Sequence, residues 1–185
     1  MTITRCAWCE KDDLYRNYHD NEWGNPVYDD DKLFEFLILE TFQAGLSWYT
    51  VLAKRENFRT AFLNFNVKKV ANFTEQDIEN LCQNPGIIRN RLKIKAAVTN
   101  AQAFIKVQEQ EGSFSKYIWS FVNHEPIINH FKTLSEVPAT TPLSDTISKD
   151  LKKRGFKFVG STVIYAHMQA TGMVNDHLLS CFKRE

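Results

Sequence analysis

The sequence predicts an all-α fold, and three observations support this. Several segments place apolar residues at helical spacing, and each begins at a polar residue suited to capping a helix. Sharp helix-ending turns follow, as at Asn84-Pro85-Gly86. No segment alternates polar and apolar residues as half-buried strands do, and there is no repeat or low-complexity linker. With 185 residues, we expect one domain, residues 1–185, built of two closely packed helical halves.

The first half of the chain contains two predicted helical regions. Acidic residues at 29–31 favour a helix start, because carboxylates cap the first N–H groups and oppose the helix dipole. Apolar spacing carries this helix to about Thr41. A break is predicted at residues 43–46, around Gly45, and helical spacing resumes over residues 48–62.

The second half begins with a predicted capping box at residues 74–77, which starts a helix that ends at the Pro-Gly turn. After the turn, a further helix is predicted to have Ile87, Ile88 and Leu92 on its apolar face. Ser113 can cap a short helix.

The last third starts with an irregular stretch, residues 124–142. Thr141-Pro142 then favours a helix that stops at Gly155. A last helix is predicted from about Ser161 to Gly172.

The formal net charge is +1, with a pI near 7.7, so overall charge neither favours nor excludes a polyanionic partner. Basic residues concentrate in two stretches, namely Arg89, Arg91, Lys93 and Lys95, and then Lys149, Lys152, Lys153, Arg154 and Lys157. These stretches predict two basic patches.

The chain contains four cysteines. Its first six residues include no apolar leader segment, and no apolar run approaches the length of a membrane span. We therefore expect a cytoplasmic protein without a membrane partner, whose thiols stay reduced and available to a metal ion.

His177 and Cys181 are four positions apart, which places an imidazole and a thiolate on one face if the segment is helical. Such a pair near a C-terminus more often belongs to an ordinary packed helix. Cys6 and His19 provide a second pair, and together the two pairs complete a Cys2His2 site. Four protein ligands leave no open position, so this site would be structural. Cys6-Ala7-Trp8-Cys9 is a C-x-x-C segment, which leaves open whether Cys9 supplies one of the thiolates.

Glu40 follows an apolar run and precedes aromatic residues, which is an unusual setting for a carboxylate. A surface position is the ordinary alternative. The aromatic residues with which it would share a cavity are Tyr18, Trp23 and Trp48. In such a cavity Glu40 accepts a ligand N–H or balances a positive charge. These side chains suit a flat cationic ring, which gains stacking, cation-π attraction and a charge-assisted hydrogen bond.

The Pro85-Gly86 turn is followed by Arg89 and Arg91. It is either a plain connection between helices or a site whose backbone N–H groups and arginines hold a DNA phosphate without contacting the bases. Residues 152–154 leave a similar choice, since their charges also complement the C-terminal end of a helix dipole.

Five longer motifs carry a family resemblance. They are Tyr18-His19-Asp20-Asn21-Glu22-Trp23-Gly24, Gln43-Ala44-Gly45-Leu46-Ser47-Trp48, Trp119-Ser120-Phe121-Val122-Asn123, Lys152-Lys153-Arg154-Gly155-Phe156-Lys157-Phe158-Val159-Gly160 and Val174-Asn175-Asp176-His177. On these motifs, nearly the whole chain resembles the bacterial 3-methyladenine DNA glycosylase I family. The resemblance implies an all-α helix-hairpin-helix DNA glycosylase fold in which a zinc ion joins the N- and C-terminal segments.

The resemblance also implies roles for individual residues. The ligands of one structural Zn²⁺ would be Cys6, His19, His177 and Cys181. Cys9 would be a spectator, although His167 is a further imidazole able to compete as a ligand. The carboxylate that meets the methylated base would be Glu40, enclosed by the aromatic residues Tyr18, Trp48, Trp23 and Trp8. The DNA contacts would be made by Leu46 and Gly45, which wedge into the duplex, and by the hairpin residues Gly86, Arg89 and Arg91.

The implied activity is excision of 3-methyladenine from double-stranded alkylated DNA by a monomer. Most helix-hairpin-helix glycosylases carry a catalytic Asp after the hairpin, yet no Asp occurs between Asp77 and Asp145. Without that Asp and without a site lysine, we expect a monofunctional hydrolase that does not cleave the strand. The alternatives are a zinc-stabilised DNA-binding module without catalysis and a broader alkylpurine glycosylase.

Overall fold

The structure is a computed structural model and describes residues 3–43 and 45–184. In this part of the chain the α-helices are α1 (Asp13–Asn21), α2 (Asp30–Gln43), α3 (Trp48–Ala53), α4 (Arg55–Ala61), α5 (Val67–Ala71), α6 (Glu75–Gln83), α7 (Arg91–Glu111), α8 (Phe114–Ser120), α9 (Pro142–Lys153) and α10 (Ser161–Ala170). The mainly helical prediction is confirmed. None of these helices is long and apolar enough to cross a membrane.

A short strand pair was not expected from the sequence. Strand β1 (Ile127–Ile128) pairs in parallel with β2 (Val174–Asn175), and Ile127 lies opposite Val174. Strands of two residues are too short to produce a detectable alternation, which explains the omission. The pair ties the irregular segment after α8 to the segment that follows α10.

Helix α2 forms the centre of the core. Residues 33–42 are all buried, so the helix is enclosed on every side. Its neighbours include α3, α7, α8 and α10. Any polar side chain in residues 33–42 must therefore face another element or an internal cavity, and this applies to Glu40.

Three predicted helix starts are confirmed. Thr74 and Asp77 form a reciprocal capping box at α6, and Ser113 caps α8. Pro142 occupies the first turn of α9, where the side chain of Thr141 caps the helix. Each cap satisfies N–H groups that have no partner within the helix.

The predicted break between α2 and α3 is also confirmed. Helix α2 ends at Gln43, Gly45 adopts a φ of +81°, and Ser47 caps α3 by accepting a hydrogen bond from the N–H of Thr50. A positive φ is tolerated by glycine at little cost. Ala44, which belongs to the predicted break, lies outside the described residues.

Helix α7 begins later than predicted. The side chain of Asn90 caps it, so Arg91 is its first residue. Ile87 and Ile88 belong to the connection before the helix, where Ile87 is buried, and Leu92 is 70% exposed. The prediction was wrong here because the turn itself buries an isoleucine, which the apolar pattern alone assigns to a helix.

The segment that carries His177 and Cys181 is not helical, in contrast to the expectation from their spacing. It leaves β2 and turns, with the N–H of Cys181 donating to the carbonyl of Leu178 at 2.8 Å. This turn brings the two side chains together without a helix, and Cys181 Sγ lies 3.5 Å from His177 Nδ1.

Candidate active site and metal centre

A cavity of about 260 Å³ opens among α1, α2, α3 and α10. Its wall is formed by Cys6, Trp8, Tyr15, Tyr18, Trp23, Glu40, Gln43, Trp48, Leu134, Val137, Ala166, Gln169, Asp176 and Leu178. The structure thus brings together Glu40 and the four aromatic residues predicted to contact a base. A largely aromatic cavity with a few polar groups is the usual form of a site for a small flat ligand.

Glu40 is 4% exposed, so the alternative of a surface position is wrong. Its carboxyl group accepts no hydrogen bond from the described residues. Burial raises the pKa of this carboxyl group to about 8, because an ionised carboxylate loses its hydration without gaining a partner. An acceptor held without a partner at a cavity is suited to a ligand that brings a donor or a positive charge.

Tyr18 and Trp48 line the cavity together with Glu40. Their ring centroids are 5.5 Å apart, and burial raises the pKa of Tyr18 well above its usual value, with Glu40 adding to the effect. The indole N–H of Trp48 is buried without an acceptor among the described residues. Within the described part of the chain, the cavity wall therefore contains an unpaired acceptor on Glu40 and an unpaired donor on Trp48.

Trp8 and Trp23 complete the aromatic wall. Their rings meet edge to face with centroids 5.1 Å apart. The Trp8 ring also lies 5.3 Å from the ring of His19, and the Trp23 ring lies 4.6 Å from that of His177. This side of the cavity rests directly on the predicted metal ligands.

Sequence reasoning missed several wall residues. Tyr15 precedes Tyr18 by three positions on α1, so their shared helix face was a usable signal. Gln169 and Asp176 come from α10 and from the segment after β2. Asp176 lies beside His177, outside the interval after the hairpin in which a catalytic aspartate is expected.

The side chains of Cys6, His19, His177 and Cys181 form one buried cluster whose ligand atoms all lie within 4.8 Å of one another. Cys181 Sγ lies 3.4 Å from His19 Nε2, and Cys6 Sγ lies 3.8 Å from His177 Nδ1. A tetrahedral site with bonds of about 2.0 to 2.3 Å has edges of roughly 3.3 to 3.8 Å, so this cluster can hold a metal ion.

Neighbouring groups orient both imidazole rings. His19 Nδ1 lies 2.8 Å from one carboxylate oxygen of Asp20. The other oxygen of this carboxylate accepts hydrogen bonds from the guanidinium of Arg5. His177 Nε2 donates to the carbonyl oxygen of Trp23 at 3.1 Å. These bonds leave His19 Nε2 and His177 Nδ1 facing the sulfur atoms, the arrangement that fixes a metal-binding tautomer.

Protonation in the cluster also fits a metal ion. Burial lowers the pKa of His177 to about 4, so its ring is neutral, as a ligand must be. Burial raises the pKa of the Cys6 thiol, so a thiolate at this position requires a nearby cation. A bound metal ion provides that cation.

Two further candidate ligands are excluded from the cluster. The Cys9 thiol donates to the carbonyl oxygen of Cys6 at 3.1 Å and is not one of the four clustered side chains. The ring of His167 lies elsewhere, with Nε2 3.1 Å from the carbonyl oxygen of Leu33. Burial lowers the pKa of His167 to about 4, so it is a neutral residue of the core.

The loop between α2 and α3 adjoins the cavity. Gln43, a wall residue, donates from its side chain to the carbonyl oxygen of Leu46 at 3.0 Å. Leu46 is 39% exposed, and a Cβ added to Gly45 would meet nothing within 4 Å. An apolar side chain thus projects on a short loop between two wall residues, Gln43 and Trp48.

The hairpin between α6 and α7 is less basic than the sequence suggests. Arg91 forms ion pairs with Glu79 and Glu75, and Lys93 is buried, donating to the carbonyl oxygen of Phe42 at 3.0 Å. The prediction of a surface patch is wrong for Lys93. Arg89 is exposed, whereas the N–H of Gly86 is already bound to the Asn84 side chain at 2.8 Å.

The second basic stretch lies where α9 connects to α10. Lys152, Lys153 and Lys157 are exposed, whereas Arg154 is held by Asp150 and Glu111. Gly160 precedes α10 and provides no side-chain cap for its first N–H groups. Exposed cations beside uncapped N–H groups favour an anionic partner.

The two basic stretches adjoin each other. Lys157 and Phe158 share a shallow groove with Leu92 and Lys95, the latter two from the first turns of α7. Lys95 of the first stretch, which is also paired with Glu75, and Lys157 of the second therefore line one groove.

Comparison with known proteins gives one consistent answer. The sequence profile of the methyladenine glycosylase family matches residues 8–184. The DNA-3-methyladenine glycosylase 1 of Escherichia coli strain K12 is 54% identical over 179 residues, which cover 97% of this chain and 96% of the relative. The DNA-3-methyladenine glycosylase of Haemophilus influenzae is 51% identical over 178 residues, 96% of either chain.

Solved structures agree. A crystal structure of 3-methyladenine DNA glycosylase I has a TM-score of 0.95 at 51% identity, covering 98% of this chain and all of that one. The structure of a variant of 3-methyladenine DNA glycosylase I in complex with 3-methyladenine also has a TM-score of 0.95. It is 40% identical and covers 99% of this chain and 98% of that one. The chain therefore belongs to the methyladenine glycosylase family.

Proposed function

We propose that the protein hydrolyses the N-glycosidic bond of 3-methyladenine in double-stranded alkylated DNA, releases the free base and leaves an abasic site. The observation that carries the proposal is Glu40, a buried carboxyl group at an aromatic cavity that has no hydrogen-bond partner among the described residues. The relatives named as 3-methyladenine glycosylases support it through their high identity over nearly the whole chain.

The cavity complements a cationic purine. Methylation at N3 gives the base in DNA a positive charge, which favours ionised Glu40 and so offsets the cost of burying this carboxylate. The exocyclic amine then donates to Glu40, while Tyr18, Trp48, Trp23 and Trp8 enclose the ring. Aromatic stacking worth about 1 to 3 kcal/mol per base offsets much of the cost of moving the nucleotide out of the duplex.

The reaction requires few catalytic groups from the protein. A cationic base leaves with the electrons of the C1′–N9 bond and becomes neutral, so it needs no protonation. Water then adds at C1′ and loses a proton to solvent. The described wall of the cavity includes no lysine, and we therefore infer hydrolysis without a covalent enzyme intermediate and without strand cleavage.

We infer that the Cys6, His19, His177 and Cys181 cluster holds Zn²⁺. Its two sulfur and two nitrogen donors are those that zinc prefers. Zinc bound there is structural, because four protein ligands leave no position for water. Cys6 and Cys181 are 175 positions apart along the chain, so the site fastens the N-terminal segment to the C-terminal one and stabilises the fold.

DNA contacts are assigned to the cavity mouth and the adjoining basic surface. Leu46 on its Gly45 loop fills the space that the extruded nucleotide leaves, and the hairpin at Gly86 holds the backbone through Arg89. Arg91 contributes less than Arg89, because Glu75 and Glu79 already balance its charge. The helix-hairpin-helix assignment, the single domain over 1–185, the monomeric state and the cytoplasmic location stay predictions.

The proposal is tested by incubating the protein with duplex DNA methylated at purines and separating the free bases by chromatography. We expect release of 3-methyladenine, with strand breaks only after alkali treatment. DNA binding without any base release supports the non-catalytic module instead. Equal release of 7-methylguanine supports a broader alkylpurine glycosylase.

A further inference from the structure

Asp176 is a second buried carboxylate in the wall of the active-site cavity. It is 2% exposed and follows β2 directly, so the pairing of that strand with β1 fixes its backbone. The base-binding role proposed for Glu40 leaves this second carboxylate without a function.

Three neutral groups donate to Asp176. They are the amide of Asn129 at 2.7 Å, the hydroxyl of Tyr165 at 2.6 Å and the amide of Gln169 at 2.8 Å. An arrangement in which both carboxyl oxygens only accept is that of the ionised form. Asp176 forms no ion pair with a cation of the described chain, so its negative charge is not cancelled by direct contact.

The reaction generates a second positive charge, on the sugar, in addition to the charge on the base that Glu40 is proposed to meet. As the C1′–N9 bond breaks, its electron pair goes to the base, and the deoxyribose becomes cationic at C1′ and O4′. A fixed anion near the sugar stabilises this transition state, because a preorganised charge needs no reorientation in a site from which water is excluded.

We propose that Asp176 is the electrostatic catalytic residue for the sugar, with Glu40 serving the base. The inference rests on the proposed glycosylase function. Asp176 keeps its charge throughout and forms no bond to C1′. Water supplies the new oxygen at C1′, and its proton passes to solvent, so atoms and charge balance without a covalent intermediate.

A purely structural role is the competing explanation. Asp176 connects α10, through Tyr165 and Gln169, with Asn129 beside β1, and removing it alters that network. Tyr165→Phe and Asn129→Ala each remove one donor to Asp176 but leave its charge. These two variants distinguish the effect of the hydrogen-bond network from the effect of the Asp176 charge.

The test uses the zinc-loaded full-length protein and two duplexes with abasic-site analogues. A pyrrolidine analogue carries a positive charge in the sugar ring, and a tetrahydrofuran analogue is neutral. We expect wild type to bind the pyrrolidine duplex at least tenfold more tightly, and Asp176→Asn to lose that preference while excision falls about 10²-fold. Affinity for free 3-methyladenine should stay within about twofold, and zinc content and melting temperature are measured for every variant.

The preference for the pyrrolidine duplex over the tetrahydrofuran duplex is also measured in three other variants, Glu40→Gln, Tyr165→Phe and Asn129→Ala. We expect each of them to retain it, because the Asp176 charge remains. Loss of the preference in Glu40→Gln assigns the charge effect to the base-binding carboxylate and overturns the inference, even if Asp176→Asn does not fold. Full preference in folded Asp176→Asn overturns it as well. Absence of base release by wild type, in contrast, contradicts the glycosylase function itself.

Discussion

The Trp23 and His177 rings lie edge to face with centroids 4.6 Å apart, and the carbonyl oxygen of Trp23 accepts a hydrogen bond from His177. Gly24 makes this approach possible, because a Cβ there would lie 2.9 Å from His177 Nε2. A residue of the cavity wall is thus fixed by a residue of the metal cluster. Disturbing the metal should therefore also disturb the base pocket.

The metal assignment gives the first prediction. We expect the purified protein to contain one zinc ion per chain and the Cys6→Ser and His177→Ala variants to lose it. A loss of several kcal/mol of stability lowers the melting temperature of a chain of this size by about 10 °C or more. Elemental analysis and thermal melting measure both quantities, and titration with 3-methyladenine measures the accompanying loss of base affinity.

Cys9→Ser is the matched control, because the Cys9 thiol is buried nearby but is bonded to a carbonyl group. We expect it to retain its zinc. Zinc loss in this variant alone, or full zinc content in both ligand variants, contradicts the ligand assignment.

Glu40 should make stability depend on pH. Its pKa is raised from 4.5 to about 8 by burial, so between these values the unfolded chain loses a proton that the folded protein keeps. Unfolding is therefore favoured as pH rises, by up to about 1.4 kcal/mol per pH unit from this group. Glu40→Gln removes the titration and should become more stable than wild type from about pH 5 to pH 8, with the difference growing.

Denaturant unfolding of both proteins at several pH values measures that difference. Other titrating groups, including those of the metal cluster, are common to both proteins and cancel. A difference that does not change with pH places the pKa of Glu40 near its ordinary value and removes the argument for a desolvated carboxyl group.

The loop at Leu46 gives the third prediction. Leu46→Ala should reduce excision from duplex DNA by about tenfold, because a few apolar contacts that stabilise the extruded state are lost. Affinity for free 3-methyladenine should be unchanged, since this side chain does not line the cavity. Single-turnover excision and base titration give the two values, and equal losses in both assays would place Leu46 in the base pocket instead.

The hairpin gives the fourth prediction, because its two arginines differ in their surroundings. Arg89→Ala should weaken binding to all DNA sequences alike and reduce the salt slope by about 1, as expected for a lost phosphate contact. Arg91→Ala should have a smaller effect, because this side chain is paired with Glu79 and Glu75.

Binding titrations at several salt concentrations compare the two variants. Lys152→Ala on the adjoining surface is the reference for an exposed cation outside the hairpin. If the salt slope is unchanged in Arg89→Ala but reduced in Lys152→Ala, the contact with the DNA backbone is made by the connection between α9 and α10 instead of the hairpin.

Helix starts were predictable because caps are local. The capping box at Thr74 and the cap at Ser113 depend on residues within one turn. The start of α7 was misplaced because Ile87 is buried by packing against distant residues, which an apolar pattern does not distinguish from a helix. The charge of Lys93 was placed on the surface for a similar reason, since only the fold brings the Phe42 carbonyl to it.

The site was predictable where the donor chemistry was distinctive. The two Cys/His pairs indicated a metal site although their helical geometry was wrong at Cys181, because ligand type matters more than local conformation. Gln169 and Asp176 were missed because each becomes a wall residue only when α10 and β2 are in place. A single carboxylate beside a predicted ligand carries no signal of its own.

Glu40 is the proposed acceptor for the methylated base and the central residue of the proposed site. Ionised Glu40 accepts a hydrogen bond from the exocyclic amine of adenine. 7-methylguanine, which is also cationic, presents the O6 acceptor at this position, so it offers no donor to an ionised Glu40. In Glu40→Gln the amide can donate to O6, so discrimination should weaken. Trp48→Ala, the control for stacking, should reduce free-base affinity more than it changes the preference.

The decisive measurement is the release of 3-methyladenine and of 7-methylguanine from the same alkylated duplex by wild type and by Glu40→Gln. We predict that wild type releases 3-methyladenine selectively. The variant should release it at least tenfold more slowly and with a smaller preference over 7-methylguanine. Wild-type rate and preference in Glu40→Gln would contradict the account and remove Glu40 from the active site.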